Sequence, residues 1–157
     1  MHADLIIRHA QIIDGSGATR FQADVAVEGD RIRAVGDLGA ADAGLDIEGA
    51  GCILAPGFID AHTHDDKALL AAPEHRCKTS QGVTTVVIGN CGFSLAPLSP
   101  TGPLPMEFRL LGEAADYRYG ALEDYLAALD RAPAAVNAAV LVGHSTLRAG
   151  VHRRAYP

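Results

Sequence analysis

The first third of the chain carries short runs in which hydrophobic and polar residues alternate, the pattern of half-buried β-strands. The turn-forming sequences Asp14-Gly15-Ser16-Gly17 and Gly29-Asp30 separate these runs, and the Ala- and Gly-rich residues 39–44 predict a loop. Short strands divided by Gly and Asp favour a small antiparallel sheet or sandwich within residues 1–55. The predicted strands cover residues 3–8, 11–13, 24–28 and 31–35.

From residue 56 onward, continuous apolar runs alternate with helical periodicity. The β-branched run at 83–89 is typical of a strand buried on both faces of a parallel sheet. The spacing of Leu122, Tyr125 and Leu129 predicts an amphipathic helix over 122–129. The order of strands and helices predicts the start of a parallel α/β architecture. The other predicted elements are a strand at 58–64, helices at 67–72 and 74–80, and a buried strand at 138–143.

Composition and charge narrow the functional classes. Of 157 residues, 48% are hydrophobic and 20% are charged, which is ordinary for a globular protein and argues against disorder. The formal net charge of −6 disfavours a nucleic-acid partner, which would need a basic face. No apolar run reaches the ~18 residues of a membrane helix. The start Met1-His2-Ala3-Asp4 lacks the basic and apolar regions of a secretory signal.

The three cysteines bear on the cellular compartment. Cys52, Cys77 and Cys91 are odd in number and widely spaced, so reduced thiols in a cytoplasmic protein are favoured over a disulfide framework. Cys52 and Cys77 are expected to be small buried hydrophobes, as most free cysteines are.

The segment 56–64, Pro-Gly-Phe-Ile-Asp-Ala-His-Thr-His, carries the strongest sign of chemistry. Residues two apart on a strand share a face, so His62 and His64 would lie side by side and converge on one metal ion. Asp60 lies on the same face, and its carboxylate can accept an imidazole N–H and fix its tautomer. The spacing alone is equally compatible with two unpartnered surface histidines. The position favours a site, since active sites of parallel sheets lie where strands end.

Two further strand ends carry polar residues. Cys91 follows the predicted strand 83–89, between glycines, and a thiolate there would be a strong metal ligand beside the two histidines. His144 and Ser145 follow the third predicted strand and are expected to line the same rim, with simple capping of the strand as an equal alternative. A hydrogen-bonded His–Ser dyad is disfavoured, because neighbours on a strand point to opposite faces.

These stretches together resemble the amidohydrolase superfamily. The resemblance rests on residues 3–7, 12–17, 29–32 and 55–64, the last reading Ala-Pro-Gly-Phe-Ile-Asp-Ala-His-Thr-His. Residues 79–92, which end in Gly-Asn-Cys-Gly, and residues 141–148, Leu-Val-Gly-His-Ser-Thr-Leu-Arg, narrow it to the D-aminoacylase or N-acyl-D-amino-acid deacylase branch.

The resemblance implies a fold, a cofactor and a ligand set. The fold would be the N-terminal part of a (β/α)₈ TIM-like barrel, with three strands and their helices in residues 56–157, preceded by half of a small β-sandwich in residues 1–55. The cofactor would be zinc, held by His62, His64 and Cys91. The family's two later histidine ligands and its general base, a late aspartate, are expected outside this chain, because a whole barrel needs about 250 residues.

The expected reaction is hydrolysis of the amide bond of a small-molecule N-acyl-D-amino acid, with no nucleic-acid or membrane partner. The chain would be an N-terminal fragment or one part of a split enzyme, inactive alone, whose barrel a second polypeptide completes. A cyclic amidase of dihydroorotase or hydantoinase type shares the sandwich and H-x-H features, but Asn90-Cys91-Gly92 and residues 143–148 favour the deacylase. A non-catalytic metal-binding or assembly module is the third interpretation.

Overall fold

The computed structural model of the chain describes residues 2–151. The chain divides into two compact units, an N-terminal unit of residues Met1–Pro56 and a C-terminal unit of residues Gly57–Pro157. Strands and helices are both present, in agreement with the predicted α/β class. Within the described residues, no helix has the length and apolar character needed to cross a membrane.

The N-terminal unit is a five-stranded sheet. Its strands are β1 (His2–Ile12), β2 (Phe21–Glu28), β3 (Arg31–Gly36), β4 (Asp42–Glu48) and β5 (Ile53–Leu54). The order is β3-β2-β1-β4, and β5 also pairs with β1. The β1–β2 and β2–β3 pairs are antiparallel, whereas β4 and β5 run parallel to β1.

The expected antiparallel pairing is present in β1–β3, whereas β4 and β5 were not predicted and run parallel to β1. Part of the predicted loop at 39–44 belongs to β4. The sequence of β4 contains Asp42, Ala43, Gly44 and Asp46, which are weak strand formers. Its extended conformation follows from pairing with β1 along its length, which local propensity does not reveal.

A bulge joins the runs predicted at 3–8 and 11–13 into the single strand β1. The pairing with β2 shifts between Ile7 and Ala10, and His9 has a left-handed backbone with φ of 56°. The buried Asp24 carboxylate accepts the His9 backbone N–H at 2.8 Å, which holds the bulge in place. Two small apolar clusters stabilise the sheet, one built on Ala10, Ile12, Ala23 and Val25 and the other on Ala3, Ile6 and Ala26.

The C-terminal unit contains a three-stranded parallel sheet in the order β6-β7-β8 with helices between the strands, as the sequence predicted. Its elements are β6 (Phe58–Asp60), α1 (Asp66–Ala71), α2 (Arg76–Thr79), β7 (Val83–Ile88), α3 (Leu122–Arg131), β8 (Asn137–Val140) and α4 (His144–Val151).

All three strands end earlier than predicted, β7 by a single residue. β6 ends at Asp60, so both histidines follow the strand, and β8 ends at Val140, so His144 begins α4. β8 is largely exposed, and its predicted burial on both faces is wrong. The physical reason is that β8 is the edge strand of the described sheet and pairs with β7 alone, so no further strand covers it.

The core of the C-terminal unit is built by the sheet, the helices and the long connection between β7 and α3. Leu69 of α1, Phe108 of the connection and Tyr125 of α3 are each at most 1% exposed. The Tyr125 hydroxyl donates to the backbone carbonyl of Asp66 at 2.8 Å. This packing fixes the start of α1, and the segment that carries the two histidines leads directly into it.

Candidate metal centre

The two histidines of the H-x-H motif lie in the short connection between β6 and α1. The ring centroids of His62 and His64 are 5.7 Å apart, with the ring planes at 74°. The Thr63 backbone N–H donates to the carbonyl of Val87 on β7 at 3.2 Å, which ties the connection to the neighbouring strand. The two rings are therefore adjacent, but through the geometry of a loop and not through strand alternation.

Cys91 lies in the loop 89–92 directly after β7. Its backbone is left-handed, with φ of 56°, between Gly89 and Gly92 with φ of 80° and 82°. Left-handed backbone at three of these four residues turns the chain at the end of the strand. The Cys91 thiol consequently reaches the histidine pair, and its Sγ lies 2.9 Å from Nε2 of His62.

His62, His64 and Cys91 form the group of metal-donor side chains found within residues 2–151. One ligand atom from each residue lies within 4.8 Å of the others. His62 and Cys91 are exposed and His64 is half-buried, so the cluster is open on one side. Nδ1 of His64 is buried without a hydrogen-bond partner in the described part of the chain. Two imidazoles and a thiol match the ligand preferences of zinc, so these residues fit the ion.

The loop 89–92 rests directly on the chain that follows β8. A Cβ atom at Gly89 would overlap the carbonyl of Leu141, and a Cβ atom at Gly143 would overlap the carbonyl of Gly92. Backbone meets backbone at both points, an approach that requires glycine. The position of Cys91 therefore depends on the segment that follows β8.

A buried hydrogen-bond network lies behind this contact. Thr146 Oγ1 accepts the Ser94 backbone N–H at 2.8 Å and donates to the Ser94 carbonyl at 3.0 Å. The Gly143 backbone N–H donates to Ser94 Oγ at 3.0 Å. Ser94 and Thr146 are at most 1% exposed. The network fastens the start of α4 to the chain that leaves the Cys91 loop.

A cluster of charged side chains lies beside the histidines. Asp60 accepts the backbone N–H of His62 at 3.2 Å and the Lys78 ammonium at 2.5 Å. Lys78 also reaches Asp65 at 3.2 Å and Thr63 Oγ1 at 3.3 Å. The hydrogen bond between Lys78 and Asp60 lowers the pKa of Asp60 and raises the pKa of Lys78, so both are ionised at neutral pH.

Asp60 is thus engaged with a backbone N–H and a lysine, which is a different set of partners from the imidazole N–H expected of it. Its predicted role of orienting a histidine ring stays a prediction. Lys78 has no distinguishing signal in the sequence, because a lysine at the end of a short helix is ordinarily a solvated residue.

Two buried ionisable residues, His75 and Asp66, lie next to the segment that carries the two histidines. His75 is 2% exposed and places Nε2 at 3.2 Å from the Asp65 carboxylate. Asp66 is 1% exposed and accepts the Leu95 backbone N–H at 3.0 Å. Burial raises the pKa of Asp66. Sequence spacing does not reveal either residue, since their partners are distant in the chain or meet only through the fold.

His144 and Ser145, expected to line the rim, lie at the start of α4. His144 is exposed and lines an open cavity of about 390 Å³ with Leu147, Arg148 and Val151. Ser145 lies against the Cys91 loop, where its Oγ is the nearest atom to the Cβ position of Gly92. Their role toward a substrate stays a prediction.

Cys52 and Cys77 do not belong to the donor cluster. Both are exposed, so the prediction that they are buried small hydrophobes is wrong. Cys77 lies on α2, as expected, and Cys52 lies in the turn before β5. Short turns and a four-residue helix provide too little covering structure to bury either thiol.

Comparison with known proteins links the sequence to one family. Residues 47–156 match the amidohydrolase family. The chain is 53% identical to a D-aminoacylase of Alcaligenes xylosoxydans xylosoxydans, over 94% of this chain and 30% of that protein. It is 44% identical to an N-acyl-D-glutamate deacylase of the same organism, over 96% of this chain and 30% of that protein.

Solved structures give the same result. A crystal structure of D-aminoacylase has a TM-score of 0.90 at 54% identity, covering 95% of this chain and 31% of that one. N-acyl-D-glutamate deacylase from Bordetella bronchiseptica, complexed with zinc and a phosphonate inhibitor, has a TM-score of 0.92 at 45% identity, covering 98% and 32%. This chain thus spans about 30% of the length of the curated relatives it matches. The family match and these similarities show that the chain belongs to the amidohydrolase family, on the D-aminoacylase branch that its motifs resemble.

Proposed function

We propose that this chain is part of a zinc-dependent hydrolase that cleaves the amide bond of N-acyl-D-amino acids. The observation that carries the proposal is the donor cluster of His62, His64 and Cys91, with its ligand atoms within 4.8 Å of one another. The relatives support the substrate class, since they are named D-aminoacylase, N-acyl-D-aspartate deacylase and N-acyl-D-glutamate deacylase. The zinc in the deacylase from Bordetella bronchiseptica supports the choice of metal.

His62, His64 and Cys91 would hold the ion through two neutral imidazoles and one thiolate. When bound, zinc acts as a Lewis acid toward the amide carbonyl and lowers the pKa of water toward ~7. Cys91 must lose its proton to bind, and its thiolate then supplies the negative charge that two imidazoles lack. Because Nδ1 of His64 has no hydrogen-bond partner among the described residues, binding there breaks no contact that the structure shows.

The overall reaction adds water across the amide bond. The water oxygen bonds to the carbonyl carbon, the C–N bond breaks, and the amine leaves with a proton. Asp60 and Asp65 are poorly placed to carry that proton, because Lys78 already binds both carboxylates. We therefore assign the general base to an aspartate outside these 157 residues, as the family resemblance implies.

The same proposal extends to the fold. Residues 56–157 would form the first three strands and helices of a (β/α)₈ barrel, which the parallel order β6-β7-β8 supports. Residues 1–55 would form the N-terminal half of a β-sandwich. Phe58 and Ile59 are each 64% exposed on β6, as expected for a sheet that further strands cover.

The remaining strands, metal ligands and general base would come from polypeptide that completes the barrel, either in the same chain or in a second one. His144 and Ser145 would line the substrate site on the rim that this completion forms. The three free cysteines support a cytoplasmic location, because reducing compartments keep thiols unpaired.

The test uses the native protein together with whatever polypeptide completes it. We expect the purified protein to contain zinc and to hydrolyse N-acetyl-D-amino acids in preference to their L-enantiomers. Cys91→Ala should abolish most of this activity, whereas Cys77→Ala, which changes an exposed thiol outside the cluster, should leave it intact. Activity confined to L-substrates, or none with zinc bound, would contradict the proposal, and hydrolysis of hydantoins instead would favour the cyclic amidase.

A further inference from the structure

One ammonium group contacts the histidine segment at three points. Lys78 Nζ lies 2.5 Å from Asp60, 3.2 Å from Asp65 and 3.3 Å from Thr63 Oγ1. These three residues bracket both histidines, since His62 lies between Asp60 and Thr63 and His64 lies between Thr63 and Asp65. The contacts with Asp60 and Thr63 are hydrogen bonds, whereas the contact with Asp65 is an ion pair.

The contacts are sheltered, which makes them stronger than surface ion pairs. The Lys78 and Asp65 side chains are each 19% exposed, and the Asp60 side chain is 28% exposed. Thr63 is buried, and its backbone is also tied to β7. Partly buried, charge-assisted hydrogen bonds restrict the backbone more than solvated pairs do.

Asp60 links Lys78 to the candidate metal ligand His62. Its Oδ2 atom binds Lys78 while Oδ1 accepts the backbone N–H of His62 at 3.2 Å. On the other side, the Asp65 carboxylate lies 3.2 Å from Lys78 Nζ and 3.2 Å from Nε2 of the buried His75, within ion-pair distance of both. The segment 60–65 is therefore fastened at both ends and in its middle.

We infer that Lys78 is a positioning residue of the metal centre, which holds residues 60–65 so that both imidazoles face Cys91. The inference rests on the proposed zinc site and adds to it a residue that would not itself touch the ion. A positioning role predicts a change in zinc affinity opposite in direction to the change that charge predicts. If charge alone mattered, Lys78 would weaken zinc binding, because a nearby cation repels zinc. Removing Lys78 would then strengthen zinc binding, since two carboxylates would also be freed. Loss of affinity on removing Lys78 would therefore report positioning.

The experiment compares four forms of the protein, each together with the polypeptide that completes it: the parent, Lys78→Met, Lys78→Arg and Lys67→Met. Lys67 is the matched control, because it forms a similar ion pair with Asp116 at 2.8 Å that does not involve residues 60–65. Calorimetric titration with Zn²⁺ should show binding weakened by about 10- to 100-fold in Lys78→Met, the usual effect of losing a residue that orients ligands. Lys67→Met should bind as the parent does.

Lys78→Arg separates charge from geometry. Its planar guanidinium keeps the positive charge but does not reproduce the compact ammonium group that donates to both Asp60 and Thr63, so we expect intermediate affinity. The visible absorption bands of chains loaded with Co²⁺ report ligand geometry, and they should change in Lys78→Met and not in Lys67→Met. Equal or tighter zinc binding with an unchanged cobalt spectrum in Lys78→Met would overturn the inference.

A measurement on the metal-free protein tests the role of Lys78 separately from the proposed function. In the metal-free chains, the NMR amide signals of His62 and Thr63 should shift or broaden in Lys78→Met and not in Lys67→Met. Failure of the parent to bind zinc would count against the proposed function alone. Unchanged amide signals in Lys78→Met would count against the role of Lys78, whatever the parent binds.

Discussion

Cys91 combines a metal-donor side chain with a strained backbone. A left-handed conformation costs a non-glycine residue about 1–2 kcal/mol, and Cys91 adopts it with φ of 56°. Strain of this kind persists where the surrounding structure enforces it, and such residues cluster at functional sites. In this protein, the contact of the loop 89–92 with Leu141 and Gly143 holds Cys91 in its left-handed conformation.

The strain predicts that Cys91→Gly and Cys91→Ala differ in stability although both lack the thiol. Glycine relieves the left-handed strain but loses about 0.5–1 kcal/mol of backbone entropy, so Cys91→Gly should be more stable than Cys91→Ala by roughly 0.5–1 kcal/mol. Urea unfolding in the presence of a chelator measures the difference. If Cys91→Ala proves equally stable, the left-handed conformation at this residue carries no strain.

At the scale of elements, the candidate metal ligands lie in loops that neighbouring segments hold in place. Gly143 follows β8 and lets its backbone lie against the carbonyl of Gly92 in the Cys91 loop. The Ser94–Thr146 hydrogen bonds hold this arrangement from behind. The position of the thiol is thus determined by β8 and α4 as well as by β7.

Gly143→Ala should therefore affect both stability and zinc binding. The added methyl group overlaps the Gly92 carbonyl, and overpacking of this kind typically costs about 1–3 kcal/mol. The displaced loop should also weaken zinc binding, as measured by titration. Gly120→Ala is the control, because nothing lies within 4 Å of its Cβ position and both properties should stay within error of the parent. Normal zinc affinity in a destabilised Gly143→Ala would show that the two loops are not coupled.

The bulge in β1 makes a prediction about acid stability. Asp24 accepts the backbone N–H groups of His9 at 2.8 Å and Leu38 at 3.2 Å. These bonds, and then the nearby charges of His9 and Arg8, lower the pKa of Asp24. A carboxyl whose folded-state pKa is lowered stabilises the protein above its unfolded pKa of about 3.9, and this stabilisation is lost as the pH falls through the folded value.

Asp24→Asn should consequently lower the free energy of unfolding by about 2 kcal/mol at pH 7, the usual worth of hydrogen bonds to a charged group. The difference from the parent should shrink below pH 4, because the parent also loses its carboxylate there. Urea unfolding at several pH values tests this. Asp37→Asn is the control, since Asp37 is exposed and accepts one local N–H from Gly39. A constant difference across the pH range would contradict the role of the Asp24 charge.

Sequence patterns predicted the elements whose signals are local. The amphipathic spacing at Leu122, Tyr125 and Leu129 and the β-branched run of β7 both correspond to observed elements. The adjacency of Cys91 to the histidines followed from the rule that parallel strands end on one edge, whereas His62 and His64 were expected to be neighbours on a strand and are neighbours in a loop. Strand β4, the contact at Gly143 and the contacts of Lys78 depend on residues distant in sequence, and no spacing rule encodes them.

At the scale of the whole molecule, large apolar side chains remain exposed in both units. Ile32 and Leu45 in the N-terminal sheet are 69% and 56% exposed, and Phe58 and Ile59 on β6 are each 64% exposed. Exposed apolar surface and open sheet edges are templates for association. They agree with the proposal that further polypeptide covers these faces.

We expect this polypeptide alone to self-associate or to bind a partner that completes the barrel. Light scattering over a range of concentrations should show particles larger than a monomer, and thermal unfolding should be broad. Addition of the completing polypeptide should restore a discrete species. A monomer with a sharp thermal transition across the same concentrations would contradict this expectation.

X-ray absorption at the zinc edge shows whether Cys91 binds the metal ion. The sample is the zinc-loaded Cys52→Ala/Cys77→Ala double variant, in which Cys91 is the single remaining thiol of the three in the sequence. We expect one sulfur at about 2.3 Å and nitrogen or oxygen neighbours at about 2.0–2.1 Å, and loss of the sulfur shell when Cys91→Ala is added. With at most three ligands from this chain, zinc should leave readily to a chelator. A zinc environment without sulfur in the double variant would exclude Cys91 as a ligand and overturn the proposed metal centre.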